Sequence, residues 1–386
     1  MSTNGPAYNL SDLRSLFPHT ERLTFLNHAG ASPLAAPVKA AMVEAVDMTS
    51  GDNTGFWPGQ SDALAKGLRA KLARLLDADA GEISLTPNTS TALNYVALSL
   101  PARPGQNVIV CDKEFPTNVL PWMNLARRNN LELRIVPPDC GGLTVSRLAD
   151  FADSDTLLVS VSHVQFLTGC RADLEALGAF CHARGILFAV DAIQSAGHIP
   201  INVKASHIDF LAAGALKSLM GPMGIGVLYV RRELIEGFDM PVAGASGMAY
   251  DDGWCNYKLN FLPGAERYEL GTANWVGMAG LDAALDMLQG LEIAHIDAWT
   301  THLSDVLLDD MTRRGFRPLT MRDPMQHGPI VTVAVPGDPQ AAFQRLSDNG
   351  IAAAVREGHI RLSNHCYNTE EEVLRVGEVL GENGGH

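Results

Sequence analysis

Short apolar runs alternate with longer segments of helical periodicity along most of this 386-residue chain. The run Ile186–Val190 is continuous and apolar, as expected for a strand buried on both faces of a parallel sheet. Similar runs predict strands at 83–86, 107–111, 131–136, 157–161 and 208–213. Helical patterns are predicted at 38–49 and 171–184, and the second of these completes a crossover back to the strand at 186–190. This succession predicts an α/β fold.

A second, smaller α/β unit is predicted from the C-terminal part of the chain. Its helices and strands are expected at 278–289, 293–314, 330–335, 340–348, 351–355 and 359–363, with a closing helix from Thr369. The TEEE sequence at the start of that last helix is a capping box. We therefore expect a large domain at 26–275 and a small domain at 276–386. Residues 1–25, with a short helix around 11–17, are expected to pack on the small domain.

Two strands of the predicted large sheet bring an acid and a lysine to the same edge. The strand at 186–190 leads to Asp191, and the next apolar run ends at Gly214, three residues before Lys217. Open α/β sheets bind ligands at the carboxyl ends of their strands, so this edge is the predicted site. Burial there would make Lys217 a nucleophilic amine, and a buried Asp191 requires a cation such as a pyridinium nitrogen.

Composition narrows the class of protein without identifying the reaction. Hydrophobic residues make up 46% of the chain and charged residues 19%, which is typical of a folded globular protein. A net charge of -14 argues against a sequence-independent nucleic-acid binder. No stretch has the pattern of a membrane span or signal peptide, so a cytoplasmic location is expected. The six cysteines form no CxxC pair and no metal-like spacing with histidine, so reduced thiols and no metal site are expected.

Several motifs in fixed order resemble those of the class V aminotransferase family, whose members are pyridoxal 5'-phosphate (PLP) enzymes. This resemblance implies the PLP-dependent transferase fold type I, with a mostly parallel seven-stranded sheet flanked by helices and a smaller C-terminal α/β domain. It also implies a homodimer with the active sites at the subunit interface. The matching segments are LNHAGASPLA (26–35), PNTSTALN (87–94), EFPTNVLPW (114–122), SHVQFLTG (162–169), VDAIQSAGHIPINV (190–203), DFLAAGALKSLMGPMGIGVLYV (209–230), RYELGTANW (267–275) and HIRLSNHCYNTEEEV (359–373).

The resemblance assigns four residues to the ring and aldehyde of PLP. Lys217 would form the Schiff base, and Asp191 would keep the pyridine nitrogen protonated. Gln194 would donate a hydrogen bond to the phenolic oxygen. Phe115 stands where relatives place an aromatic or imidazole ring over the pyridine face, although a buried core phenylalanine is the alternative interpretation.

The phosphate of PLP is expected at the start of the helix that follows the strand at 83–86. Thr89 and Ser90 lie there, and helix N-termini bind anions, although these hydroxyls could also serve only as N-caps. Thr272 matches a segment that crosses to the neighbouring subunit's phosphate in related homodimers. The chain departs from the family at Gly214 and Leu216, where many relatives carry two further phosphate ligands.

Substrate contacts are implied mainly by the small domain. Arg361 lies where relatives bind the substrate carboxylate, an anion that a guanidinium fork matches, and Arg356 is a second candidate. His28 belongs to a segment that borders the substrate pocket in related enzymes, with a hydrogen-bonded loop histidine as the alternative. Residues left without an assigned role are His163, Tyr250, Trp254 and Tyr257.

The expected chemistry is that of a PLP enzyme acting on an amino acid through an external aldimine, with Lys217 as general base at the α carbon. An aminotransferase-like activity is the first interpretation. The alternatives are an epimerase or racemase like isopenicillin N epimerase, or a carbon–sulfur or kynureninase-like lyase. Related desulfurases use a mobile cysteine, and the matching region at 356–359 contains none. A PLP-free binding protein is a further alternative, suggested by Gly214 and Leu216.

Overall fold

The computed structural model of the chain describes residues 5–51, 59–139, 141–251, 253–323 and 327–381. Seven strands of this described part form the large sheet in the order β2-β8-β7-β6-β5-β3-β4, in which only β8 runs antiparallel to its neighbours. The strands are β2 (Ile83–Thr86), β3 (Asn107–Cys111), β4 (Glu132–Val136), β5 (Thr156–Ser162), β6 (Leu187–Asp191), β7 (Phe210–Gly214) and β8 (Gly226–Val230).

Helices cover both faces of this sheet because its strands are apolar on both sides. Ala189 packs among residues of α4 and α5, whereas its neighbours Phe188 and Val190 pack among residues of α3, α7 and α9. The helices of the large lobe are α2 (Ala36–Ser50), α3 (Ser61–Leu76), α4 (Thr89–Ser99), α5 (Leu120–Asn129), α6 (Val145–Phe151), α7 (Leu174–His182), α8 (Arg232–Gly237) and α9 (Trp275–Gly290).

The C-terminal part builds a second core on a smaller antiparallel sheet. The strands of this sheet follow the order β12-β13-β10-β9 in the described residues. Its apolar face packs against three helices. The elements are α10 (Ile293–Arg313), β9 (Arg317–Pro318), β10 (Ile330–Ala334), α11 (Pro339–Asp348), β11 (Ile351–Ala352), β12 (Ala354–Arg356), β13 (His359–Ser363) and α12 (Glu370–Gly381).

The N-terminal segment is attached to this C-terminal part. It contains α1 (Leu10–Ser15) and β1 (Thr24–Phe25), and β1 pairs in parallel with β11. The Tyr8 hydroxyl donates to the Cys366 carbonyl at 2.8 Å, and Arg14 forms a 3.0 Å ion pair with Glu372. The first residues of the chain therefore help to fix the position of the last helix.

The predicted fold class is confirmed, including a seven-stranded, mostly parallel sheet. Observed bounds differ from the predicted ones by a few residues at most positions, and the capping box at Thr369 forms as expected through reciprocal hydrogen bonds with Glu372. The boundaries proposed for the domains, at 25/26 and 275/276, remain predictions, although α9, which was expected in the small domain, packs in the core of the large sheet through Met278, Leu281 and Leu285. Within the described ranges, the helices are all too short or too polar to cross a membrane.

Candidate active site

The predicted site forms at the carboxyl ends of β5, β6 and β7. Asp191 is the last residue of β6, in register with Ser162 on β5 and Ala212 on β7. The chain leaves β7 at Gly214 and reaches Lys217 three residues later, so the acid and the lysine meet at one edge of the sheet. This arrangement follows from the parallel pairing of two buried apolar strands.

Lys217 is held as a weakly basic amine. Burial lowers the pKa of Lys217 to about 8, and the neighbouring guanidiniums of Arg361 and Arg356 act in the same direction, against the opposing effect of the Asp191 carboxylate. Its Nζ atom lies 5.3 Å from the centroid of the Phe115 ring, within the range of a cation–π contact. At neutral pH a useful fraction of this amine is therefore unprotonated and nucleophilic.

Asp191 is buried, with 3% of its surface exposed. Its Oδ1 accepts a hydrogen bond of 3.0 Å from the Ile193 N–H, and no ion pair to it exists within the described part of the chain. Burial raises the pKa of Asp191 to about 6, while the Ile193 hydrogen bond and the charge of Lys217 lower it. A protonated pyridine nitrogen would supply the cation that this carboxylate needs, so the residues fit PLP.

Thr89 and Ser90 form the first turn of α4. The Thr89 hydroxyl accepts the Gly214 N–H at 2.8 Å, so its proton remains available to a ligand. Asn88 Oδ1 accepts the Thr91 N–H at 2.8 Å, while the other N–H groups of this turn have no partner inside the helix. This helix start suits a phosphate, and the Thr89 contact shows that β7 stays linked to α4 although Gly214 carries no hydroxyl.

Ser90 reveals a residue that the sequence interpretation missed. Its hydroxyl is 2.8 Å from the hydroxyl of Thr117, two positions after Phe115. Thr117 therefore joins the ring-stacking segment to the anion site. The motif EFPTN could have indicated Thr117, because this hydroxyl lies two positions after the residue predicted to stack on the cofactor ring and can therefore reach the predicted phosphate site.

Gln194 and His28 contact the protein chain near Lys217. Gln194 is buried, and its Nε2 donates to the Ala29 carbonyl at 3.1 Å, which leaves its second N–H for the phenolic oxygen of the cofactor. The His28 Nδ1 pairs at 2.8 Å with Ser32 Oγ, which donates at 2.7 Å to the Lys217 carbonyl. His28 thus supports the Lys217 main chain, and a direct contact with substrate remains a prediction.

Arg361 lies in the interior beside this site, with 2% of its surface exposed. Its Nη1 donates to the Phe166 carbonyl at 3.1 Å, and its Nε and Nη2 are buried without a partner among the described residues. Burial lowers the pKa of Arg361 to about 10, and the nearby Arg356 adds to this effect. Because buried donors are costly when unpaired, these two N–H groups mark a position for an anion such as a carboxylate.

Glu114 is a second buried acid that the sequence interpretation missed. Its Oε1 accepts the Ser162 N–H at 2.8 Å, and its Oε2 accepts the Ser162 hydroxyl. Burial raises the pKa of Glu114 to about 7, the Ser162 hydrogen bonds lower it, and the Asp191 charge raises it. Glu114 precedes Phe115, so this contact fixes the stacking ring relative to the end of β5.

The remaining predicted residues lie outside this group of contacts. Thr272 is exposed in the segment before α9, where a role in a neighbour's phosphate site stays a prediction. His163 is buried, has no partner on Nδ1 within the described residues, and lines a cavity of about 1280 Å³ bordered by α3 and α7 rather than Lys217. The Tyr250 ring stacks on the Trp254 ring with 4.6 Å between their centroids, and the Tyr257 side chain is 90% exposed.

The described cysteines do not provide a sulfur-transfer group beside Lys217. Cys366 follows β13 in the sequence, yet it is fully buried against Met220, and burial raises its pKa far above the ordinary range. Glu357 and Gly358 alone connect β12 to β13, and both have positive φ, as a two-residue hairpin turn requires. Cys140 lies outside the described residues.

Comparisons with a family profile, with known proteins and with solved structures each match nearly the whole chain. The family profile described as aminotransferase class-V matches residues 24–376. A probable cysteine desulfurase from Methanothermobacter thermautotrophicus is 30% identical, over 97% of this chain and 98% of that protein. An uncharacterized aminotransferase from Bacillus subtilis is also 30% identical, over 93% of this chain and 94% of its own. The apo structure of a cysteine desulfurase from Thermococcus onnurineus NA1 matches with a TM-score of 0.89 and 30% identity, covering 99% of each chain.

Proposed function

Because the chain belongs to the class-V aminotransferase family, we propose that it transfers the amino group of an α-amino acid to a 2-oxo acid. The chain is a PLP-dependent enzyme that acts on an amino acid. The alternative of a PLP-free binding protein is set aside by this membership.

One observation carries the proposal. Of the titratable groups described around Lys217, Asp191, Arg361 and Arg356 do not provide a second general base for the substrate α carbon, and His28 is hydrogen-bonded to Ser32. Asp191 is committed to the cofactor ring, and an arginine does not lose its proton under physiological conditions. A single amine suits proton transfer on one side of the substrate, as transamination requires. Racemisation through two bases would require another group.

The residue over the cofactor face supports the same conclusion. Phe115 carries no titratable proton, so it cannot protonate a departing sulfur or carbon group as an imidazole could. The two-residue turn at Glu357 and Gly358 carries no cysteine and is too short to form a mobile loop between β12 and β13. Phe115 therefore does not supply an acid for elimination, and the β12–β13 turn does not supply a thiol for persulfide formation.

The chain's own residues divide the work as follows. PLP, when bound, supplies a ring that accepts the electrons released at the substrate α carbon. Arg361 would bind the α-carboxylate through its unpaired Nε and Nη2 donors, and Phe115 would stack on the cofactor ring. Lys217 Nζ would take the proton from the substrate α carbon and deliver it, on the same side, to the carbon that carried the cofactor's aldehyde, and Asp191 would stabilise the positive charge at the pyridine nitrogen.

Product analysis with and without a 2-oxo acid acceptor tests the proposal. We expect turnover of amino acids only when the acceptor is present, with a 2-oxo acid formed from the donor. Inversion of configuration without acceptor would instead identify an epimerase. Release of ammonia or of a cleaved side chain without acceptor would identify a lyase.

Sulfur release from cysteine is the second candidate, because two of the relatives described above are named cysteine desulfurases. Incubation with cysteine and dithiothreitol, followed by sulfide detection, separates this candidate from transamination. We expect no sulfide above the background of free PLP. Catalytic sulfide production would overturn the proposal and would point to a thiol supplied from elsewhere in the chain or from an added reductant.

We further propose that the active unit is a homodimer. Large apolar side chains are exposed in sequence positions next to the site: Leu120 and Met123 follow Phe115 on α5, and Met223 follows Lys217. Exposed apolar groups of this kind mark association surfaces, and Thr272 would then reach the partner's phosphate site. Analytical ultracentrifugation should show a dimer, and M223E should weaken dimerisation because it places a charge on the apolar surface. A monomer with full activity would contradict the proposed homodimer.

A further inference from the structure

One face of the small antiparallel sheet is basic. Ile360 and Leu362 point from β13 into the apolar core of the small lobe, so the alternating residues His359 and Arg361 lie on the opposite face. Arg356 on β12 pairs directly with His359, and cross-strand partners share a face. Two arginines and a histidine therefore project from the same side of this sheet.

This basic face lies toward the active site. Arg361 reaches the Phe166 carbonyl, and the Phe166 ring packs edge-on against Phe115 with 5.3 Å between centroids. The charges of Arg361 and Arg356 both act on Lys217. Arg361 and Arg356 occupy diagonal positions of the β12–β13 ladder, about 7–8 Å apart at their Cα atoms.

Arg356 has no anionic partner of its own. It is exposed, its Nη1 donates at 2.8 Å to the carbonyl of the adjacent Val355, and no ion pair involves it among the described residues. The acids nearest the site are occupied, since Glu114 accepts two hydrogen bonds from Ser162 and Asp191 faces the cofactor ring. Among the described residues the site thus offers two guanidiniums, and no carboxylate, the adjacent Glu357 included, forms an ion pair with the second.

We propose that Arg356 binds a second acidic group, carried on the side chain of the substrate, so that the enzyme acts on dicarboxylic α-amino acids. The inference rests on the proposed function in that Arg361 takes the α-carboxylate. The diagonal spacing of the two arginines suits two carboxylates separated by a few carbon atoms. Arg356 is exposed, so its guanidinium is accessible to a second acidic group.

The holoenzyme tests this with matched acids and amides. We expect kcat/KM for L-glutamate and L-aspartate to exceed those for L-glutamine and L-asparagine by about tenfold, the effect of one charge-assisted contact. In R356Q this acid-over-amide ratio should fall close to one, and R356K should retain part of it. R375Q is the matched control, because Arg375 is an exposed arginine on α12, which packs against the other face of the sheet.

A binding measurement provides a readout that does not depend on turnover. Calorimetry of the holoenzyme should show succinate binding about tenfold more tightly than succinamate, its isosteric amide. R356Q should bind both equally, and R375Q should behave like the unmodified protein.

The outcomes separate this inference from the proposed function. If amino acids are transaminated but neutral ones are preferred, and R356Q leaves the ratio and the succinate affinity unchanged, the dicarboxylate inference is overturned while the proposed function stands. If no amino acid donates its amino group, yet R356Q abolishes the succinate preference, the acidic subsite is supported and the proposed reaction fails.

Discussion

Replacing Glu114 by glutamine tests how strongly this buried acid beside the cofactor site lowers the free energy of unfolding at neutral and higher pH. Burial raises the pKa of Glu114 from 4.5 to about 7. Between these pH values the folded chain keeps a proton that the unfolded chain has released, so the free energy of unfolding falls as pH rises through this window. A pKa difference of about 2.5 corresponds to about 3.4 kcal/mol, fully lost above pH 7.

In E114Q the side chain stays neutral at every pH, so this loss disappears. Its amide oxygen can still accept the Ser162 N–H, so we expect the variant to be within about 1 kcal/mol of the unmodified protein at pH 5. At pH 8 the variant should have gained about 3 kcal/mol relative to the unmodified protein.

The assay is urea unfolding of both cofactor-free proteins at several pH values from 5 to 8. The decisive quantity is the difference in unfolding free energy between them at each pH. E378Q, on the exposed face of α12, controls for the loss of one negative charge. A constant difference between E114Q and the unmodified protein across this range would refute the reasoning about Glu114.

Three further predictions concern the cofactor and substrate contacts. R361Q should raise KM for amino acids about a hundredfold with a smaller change in kcat, because about 3 kcal/mol of charge-assisted hydrogen bonding is lost; steady-state kinetics check this, and an unchanged KM contradicts it. F115L should weaken PLP binding about fivefold through the loss of about 1 kcal/mol of stacking, as measured by fluorescence titration of the cofactor-free protein. The rate at which the cofactor-free unmodified protein binds PLP should rise with pH around a midpoint near 8, where Lys217 loses its proton, rather than near 10.5. Stopped-flow absorbance at different pH values distinguishes these two midpoints.

The positions of Asp191 and Lys217 could be predicted from the sequence because each depends on a short-range pattern. A buried apolar run must end at the sheet edge, so the residue that follows it is placed there whatever the rest of the chain does. Arg361 was predicted from the family resemblance, and the alternation along β13 agrees with that prediction because it separates Arg361 from the core residues Ile360 and Leu362.

Other contacts depend on which loops meet, and sequence patterns do not encode this. The Thr89 hydroxyl accepts the backbone N–H of Gly214, a contact between residues 125 positions apart. Glu114 follows a strand, where acids are ordinarily exposed, and only the approach of Ser162 makes it a buried acceptor. The link from His28 through Ser32 to the Lys217 carbonyl is a further contact of this kind, and the predicted role of His28 beside the substrate stays a prediction.

The pairing of β1 with β11 has a consequence for synthesis on the ribosome. Thr24 of β1 can pair only after its partner Ile351 of β11 has been synthesised, 327 residues later. At about 5–20 residues per second, this delay is roughly 16 to 65 seconds. During this delay β1 has no partner strand, and the Ala29 carbonyl that follows it, which accepts the Gln194 hydrogen bond, is not yet held in place. A nascent chain therefore cannot complete its coenzyme pocket before translation nears its end, and truncated products should emerge without bound vitamin B6.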